Sequence, residues 1–117
     1  MKQSFIMKCG FGITALAFAF LVLAPAAKAD ESVTVQISLK DHRFQPAELH
    51  APAGKPITII VKNLDSAPAE FESNMLRVEK VVTGGGTISI RVRPLEPGRY
   101  RFFDDFHQET QGYLVVQ

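Results

Sequence analysis

The sequence predicts a single all-β domain built as an antiparallel β-sandwich, and three observations lead to this prediction. Runs in which apolar and polar residues alternate recur along residues 33–116, as expected for strands with one buried face. Turn-forming Pro, Gly, Asn and Asp residues separate these runs at intervals of about 8–12 residues. No stretch in this region carries the apolar stripe of an amphipathic helix. Six or seven short strands in two packed sheets are therefore expected.

The first half of this domain contains three predicted strands. Alternation over Val33–Lys40 predicts the first strand, and the turn-rich segment Asp41–Pro46 ends it. A second strand is expected at Leu49–Ala51 and a third at Ile57–Lys62, before the turn formers of Asn63–Pro68.

The second half contains one segment that the pattern leaves open. Met75–Val82 fits either a loop with one helical turn or an irregular strand, and the glycines at 84–86 end it. In the short strand before it, Phe71 is expected to point inward, with Glu70 and Glu72 on the opposite face. The predicted strands of this half are Glu70–Glu72, Thr87–Arg93, Tyr100–Phe103 and Gly112–Val116.

The predicted core consists of the inward positions of these strands, with Phe44 as an additional plug. The positions are Val35, Ile37, Ile59, Val61, Phe71, Ile88, Ile90, Tyr100, Phe102 and Leu114.

Residues 1–29 have the features of a secretory signal peptide. Lys2 and Lys8 precede an apolar run at Phe11–Ala24, and Ala27-Lys28-Ala29 fits a small-x-small cleavage site. The alternative, a membrane anchor, is disfavoured because the run is short for a bilayer span of about 20 residues. We therefore expect cleavage after Ala29, a periplasmic location and a mature domain of residues 30–117 that is not embedded in the membrane.

Composition excludes several kinds of function for the mature domain. Cys9 is the only cysteine and lies in the leader, so disulfides, thiolate metal sites and thiol catalysis are not expected. Three of the 13 Lys and Arg residues precede the cleavage site, and all 12 Asp and Glu residues follow it, which leaves a net charge of about −2. The domain therefore has no basic field that would attract nucleic acid.

A cluster of potential metal ligands lies between the last two predicted strands. Asp104, Asp105, His107 and Glu109 provide three carboxylates and an imidazole within one short segment. Carboxylate oxygen and imidazole nitrogen bind Cu(II), Fe(II) and Fe(III). The segment is therefore a candidate metal site at one end of the sandwich.

The motifs around this segment resemble those of the cupredoxins. The phrases Asp41-His-x-Phe-x-Pro46 and Asn63-x-Asp-x-x-Pro68 match the front half of that family, and Tyr100-x-Phe-x-Asp104-x-x-His107 matches the closing strand. The resemblance implies a Greek-key β-sandwich. It places His107 at the second histidine ligand, Asp104 at the cysteine and Ala69 at the first histidine, and the methionine ligand has no counterpart. A blue type 1 copper centre is therefore not expected.

The substitutions point to a different ligand set. Glu70 and Glu72 follow the vacated histidine position closely, so we expect them to bind Cu(II) or an iron ion together with Asp104 and His107. Four further residues are additional candidates: Asp105, Glu79, Met75 and Glu109. We interpret His42 as a turn residue and His50 as a solvent-facing one.

A narrower resemblance suggests a role for such a site. The pattern Glu70-Phe-Glu72, then Val78-Glu79 and Pro97-Gly-x-Tyr100, is similar to periplasmic cupredoxin components of bacterial ferrous iron uptake. EfeO-type versions carry cysteines that this chain lacks, so the small cupredoxin of Ftr-type systems is the closer match. The resemblance implies Fe(II) oxidation or electron acceptance, or delivery of iron to an inner-membrane permease or a periplasmic iron-binding partner. A ferroxidase enzyme and a metal-free interaction module are the alternatives.

Overall fold

The computed structural model describes residue 12, residues 16–21 and residues 31–117, and nine β-strands lie in the last of these ranges. The predicted cleavage site lies outside the described residues. No helix in the described part of the chain has the length and apolar character needed to cross a membrane. The strands are β1 (Val33–Lys40), β2 (Arg43–Gln45), β3 (Glu48–Ala51), β4 (Ile57–Asn63), β5 (Ala69–Ser73), β6 (Val78–Val82), β7 (Thr87–Val92), β8 (Gly98–Asp104) and β9 (His107–Val116).

The strands form two sheets, which confirms the predicted all-β sandwich. One sheet has the order β2-β1-β4-β7 and the other has the order β3-β9-β8-β5-β6. The sheets are mixed and not purely antiparallel, because β1 pairs with β4 and β3 pairs with β9 in parallel. The chain leaves the first sheet through β3 before β4 returns beside β1. An alternating pattern fixes which face of a strand is buried but not the direction of its neighbour.

The buried side chains form one core between the sheets. Seven of the ten predicted core residues are buried, and the other three, Val35, Ile88 and Tyr100, are partly buried against the same core. Phe44 is also buried. Its ring meets those of Phe71 and Phe102 edge-on, at centroid distances of 6.1 and 5.0 Å. These contacts confirm its predicted role as a core plug.

The segment that the sequence left open is a turn followed by a strand. Residues 74–77 form the turn, and β6 follows as the outermost strand, paired with β5. Ser73 fixes the turn: its hydroxyl accepts a hydrogen bond from the Leu76 amide at 3.2 Å and donates one to the Arg101 carbonyl at 2.6 Å. Leu76 is buried, which anchors the turn to the core.

The loop expected between the last two strands is much shorter than predicted. β8 continues to Asp104 and β9 begins at His107, so only residues 105 and 106 connect them. Phe103 pairs with Gln111 whereas Asp104 pairs with His107, so residues 108–110 bulge out of the ladder. The bulge buries Thr110, whose hydroxyl donates to the His42 carbonyl at 2.6 Å. Residues 107–111 are polar, and strands are usually poor in such residues. The sequence therefore did not predict this part of β9 as a strand.

Candidate metal-binding site

Strand alternation divides the predicted ligand set into two groups. Phe71 points into the core and is paired with Asp104 across β5 and β8, so Asp104 also points inward. Glu70 and Glu72, on either side of Phe71, point outward. The structure therefore brings Asp104 together with His107 on one side, and places Glu70 and Glu72 on the other.

Three outward carboxylates converge on β5 and β6. Each of Glu70, Glu72 and Glu79 has a carboxylate oxygen, and these oxygens all lie within 4.8 Å of one another. We call these three residues the acidic cluster. Within the described residues, no other set of three His, Cys, Asp or Glu side chains meets that criterion. Glu72 and Glu79 are directly opposite across the two strands, where like charges repel.

Two of these carboxyl groups have raised pKa values. Partial removal from water raises the pKa of Glu70 above its usual 4.5, and the neighbouring Glu79 raises it further by a hydrogen bond and by repulsion. Partial removal from water also raises the pKa of Glu72, and repulsion from Asp105 and Glu79 adds to it. Asp105 therefore lies close to the cluster on the outward side. No Lys, Arg or His forms an ion pair with the cluster within residues 31–117.

The second group is a buried carboxylate with a half-buried imidazole. Asp104 is 1% exposed, and its Oδ1 accepts hydrogen bonds from the amides of Glu70 at 2.9 Å and Phe106 at 3.0 Å. Its Oδ2 lies 3.3 Å from Nδ1 of His107. The two amides fix the orientation of the carboxylate, so Oδ2 is held toward the imidazole.

His42 lies in a turn, as predicted, but its contact with His107 was not predicted. The two ring centroids are 4.2 Å apart and the rings are tilted by 39°. The carboxylate of Asp65 holds the turn by accepting the amides of Asp41 at 2.7 Å and His42 at 3.0 Å. These amide bonds lower the pKa of Asp65 below its usual 3.8. No local signal reveals the stack, because it depends on the β1–β2 turn reaching β9.

The remaining candidates lie outside both groups. Met75 is 50% exposed in the turn before β6, and Glu109 is exposed in the β9 bulge. His50 is exposed on β3, with Nε2 3.2 Å from Glu48 Oε1, which confirms the prediction that it faces solvent.

The side chains at the closing hairpin do not fit a thiolate copper centre. Ala69 is buried at the position where the cupredoxin pattern has a histidine. Asp104 is at the cysteine position, but its Oδ1 is already occupied by two amides. A blue centre needs one thiolate and two imidazoles, and this arrangement offers neither the thiolate nor the first histidine.

A two-sheet sandwich that ends in an acid–imidazole hairpin defines a small β protein of the cupredoxin class. The chain belongs to the cupredoxin-like domain family, whose sequence profile matches residues 12–116. It is 35% identical over 116 residues to an uncharacterized protein of Rickettsia prowazekii (strain Madrid E), covering 98% of this chain and 93% of that protein.

Solved structures show the same fold. The metal-binding domain of the Cu(I)-exporting P-type ATPase CopA of Streptococcus pneumoniae D39, determined with Cu(I), superposes with a TM-score of 0.63 at 18% identity, covering 75% of this chain and 97% of that domain. A purple cupredoxin of Nitrosopumilus maritimus gives a TM-score of 0.55 at 19% identity, covering 73% of this chain and 99% of that protein. At these identities the likeness shows the fold alone.

Proposed function

We propose that this protein is an exported metal-binding cupredoxin that holds a copper or iron ion at the acidic cluster. The observation that supports this most is the convergence of Glu70, Glu72 and Glu79 within 4.8 Å on adjacent strands. Their side chains come from a regular β5–β6 ladder, so their spacing is set by a rigid element and not by a loop.

The electrostatics of the cluster favour a bound cation. Glu70 and Glu72 have raised pKa values because their charged forms are partly desolvated and repelled by acidic neighbours. A cation between the carboxylates offsets both effects. Asp105 lies in the hairpin turn and raises the pKa of Glu72, which supports it as a further oxygen ligand.

The donor set selects among metals. Carboxylate oxygens suit Cu(II), Fe(II) and Fe(III), whereas Cu(I) prefers thiolate and thioether ligands. Copper is supported by two structural relatives, one a metal-binding domain determined with Cu(I) and the other a purple cupredoxin. The oxygen donors of this chain favour the oxidised form of copper.

A role in ferrous iron uptake is the more specific part of the proposal. Its support is the resemblance of the Glu70-Phe-Glu72 segment and Glu79 to iron-uptake cupredoxins, together with the signal-peptide features of residues 1–29. In this role, iron is the cargo, and the partner is an inner-membrane permease or a periplasmic iron-binding protein. Oxygen consumption with Fe(II) would identify the alternative, a ferroxidase. Protein that binds neither metal would be an interaction module.

The test is a titration of the purified protein with Cu(II), Fe(III) and, without oxygen, Fe(II). We expect Glu72→Gln and Glu79→Gln to weaken binding at least about tenfold, the smallest loss typical even for an outer-sphere partner. Glu96→Gln is the matched control, because it removes the same charge from an exposed residue outside the cluster. Equal affinities for all three variants and the wild type would refute the proposal.

A further inference from the structure

We infer a second metal site, separate from the acidic cluster, in which the imidazoles of His42 and His107 bind one borderline divalent ion such as Cu(II) or Zn(II). Asp104 positions His107 in this site without binding the ion itself. The site lies where the β1–β2 turn meets the β8–β9 turn. It shares no side chain with the acidic cluster and does not depend on the function proposed for that cluster.

The contact with Asp104 determines which nitrogen of His107 is free. A buried carboxylate oxygen 3.3 Å from Nδ1 favours the tautomer with a proton on Nδ1, because that proton can then be donated to the carboxylate. The lone pair therefore lies on Nε2. A carboxylate behind the second nitrogen is the usual outer-sphere partner of a metal-bound histidine. The side chain of His107 is 35% exposed, so the ring is accessible from solution.

His42 is held in place by both ends of its peptide. Its amide donates to Asp65 Oδ2 at 3.0 Å, and its carbonyl accepts from the Thr110 hydroxyl at 2.6 Å. Thr110 is buried in the same bulge that follows His107, so the contact ties the turn to the strand that carries the other imidazole. The 4.2 Å stack is therefore supported by the backbone on two sides.

The turn accommodates a histidine at this position. Asp41 and His42 are the two loop residues of the β1–β2 hairpin, and both have positive φ, 51° and 56°. Such two-residue turns favour Asn or Asp followed by Gly, and histidine is among the side chains enriched in the left-handed region. The contact between the two rings, and not the turn, therefore supports a shared ion.

The two rings are close enough to share an ion. The ring centroids are 4.2 Å apart, and an ion with bonds of about 2.0–2.1 Å to two imidazole nitrogens spans a comparable distance. Imidazole binds Cu(II) and Zn(II) well, and water completes the coordination of sites with few protein ligands. This site has two direct ligands, the imidazoles, and one outer-sphere carboxylate. The acidic cluster has three carboxylates as direct ligands, so the two sites differ in both the number and the type of ligand.

The test uses Zn(II) as the probe and nitrogen NMR of the histidine rings as the readout. Before metal is added, His107 should carry its proton on Nδ1. Zn(II) should then shift Nε2 of His107 and a ring nitrogen of His42 together. A titration in which the His42 ring nitrogens do not move would overturn the inference.

Affinity provides an independent measure. His42→Asn and His42→Gly should each weaken Zn(II) binding by at least about tenfold. Both replacements suit the left-handed turn, so folding should be retained, and either variant alone decides the result. His50→Asn is the control, since His50 lies exposed on β3. If His42→Asn and His50→Asn bind Zn(II) as well as the wild type does, the inference is wrong.

Variants at the two sites allow this inference to be tested separately from the proposed function. Glu72→Gln should leave the histidine shifts unchanged while it weakens binding at the acidic cluster. His42→Asn should weaken Zn(II) binding at the histidines while it leaves binding at the acidic cluster unchanged. If one of the two sites binds no metal, the other site can still be tested independently.

Discussion

Glu72 on β5 and Glu79 on β6 face each other directly across an antiparallel ladder, although both are acidic. Opposed like charges on neighbouring strands are destabilising. With no ion pair formed by either residue within residues 31–117, the metal-free protein retains this repulsion. Such a pair suits a protein that functions with a cation between these strands.

Removing one of these charges should stabilise the metal-free protein. We expect Glu79→Gln to raise the urea midpoint modestly, because it ends the repulsion across the ladder without changing side-chain size. The comparison is with Glu96→Gln, an exposed charge outside the cluster. A Glu79→Gln midpoint at or below that of the control would contradict the expectation. The same variant should bind Cu(II) more weakly, so stability and affinity change in opposite directions.

The raised pKa values of Glu70 and Glu72 predict how stability depends on pH without metal. Their folded-state pKa values lie above the ordinary 4.5 of the unfolded chain, so the folded state binds more protons between the two values. This contribution is fully present below pH 4.5 and is lost as the pH rises through the folded-state values. Urea unfolding of the wild type and of a Glu70→Gln/Glu72→Gln double variant measures the difference. The wild type should lose stability relative to the double variant as the pH rises, because only the wild type acquires the disfavoured charges, and a constant difference would contradict the assignment.

The buried carboxylate of Asp104 should matter more for stability than its neighbour in the chain. We expect Asp104→Asn to lower the free energy of unfolding by about 1.5–3 kcal/mol, the range for a hydrogen bond to a charged group. Asp105→Asn, next to it but on the outward side, should cost little. Denaturant unfolding of the two variants provides the measurement. Equal losses would show that the charge on the acceptor of these two amide bonds does not stabilise the hairpin, since asparagine keeps an acceptor oxygen.

Cu(II)-loaded protein should lack the intense blue colour of a thiolate copper centre. Residues 30–117 contain no cysteine, and Asp104 occupies the position at which the family pattern places a cysteine. Absorption spectra at saturating Cu(II) test this, with Asp104→Cys as the variant that returns a thiolate to the hairpin. A strong blue band in the wild type would overturn both ligand assignments.

Metal removal should weaken stability without unfolding the domain. The core residues lie between the sheets, whereas the acidic cluster lies on the outward face and the two histidines lie at the turns. An ion that binds only the folded state adds about 2.7 kcal/mol at a hundredfold excess over its dissociation constant. We expect cooperative melting with and without Cu(II), at a higher temperature with it. Loss of cooperative unfolding on chelation would show instead that the ion is a structural element.

The sequence determined the sandwich well because burial of one strand face leaves a local trace. The alternation around Ile37, Ile59 and Phe102 is visible within a few residues, and all three are buried. Strand direction left no such trace, so the parallel pairs β1–β4 and β3–β9 were not predicted. The length of β9 was also missed, since residues 107–111 are all polar, including the buried Thr110.

The candidate site was predicted less completely because its geometry depends on register. The side chains of Glu70 and Glu72 were correctly predicted to lie on the face of the strand opposite to Phe71. The inward direction of Asp104 follows only from its pairing with Phe71, which lies 33 positions earlier in the chain. The stack of His42 on His107 depends on an even longer contact, between the first hairpin and the last. The sequence therefore identified the candidate ligands within each motif. It did not predict that Glu70 and Glu72 lie apart from Asp104 and His107.

The position of β6 gives its charges a further role. As the outermost strand of its sheet, β6 has a free edge that could pair with a strand of another molecule. Glu79 and Lys80 are exposed on this strand, and charged residues on edge strands discourage such association. The carboxylate of Glu79, which we propose as an ion ligand, therefore also helps to keep separate molecules apart. A variant that neutralises Glu79 should be more stable but less soluble.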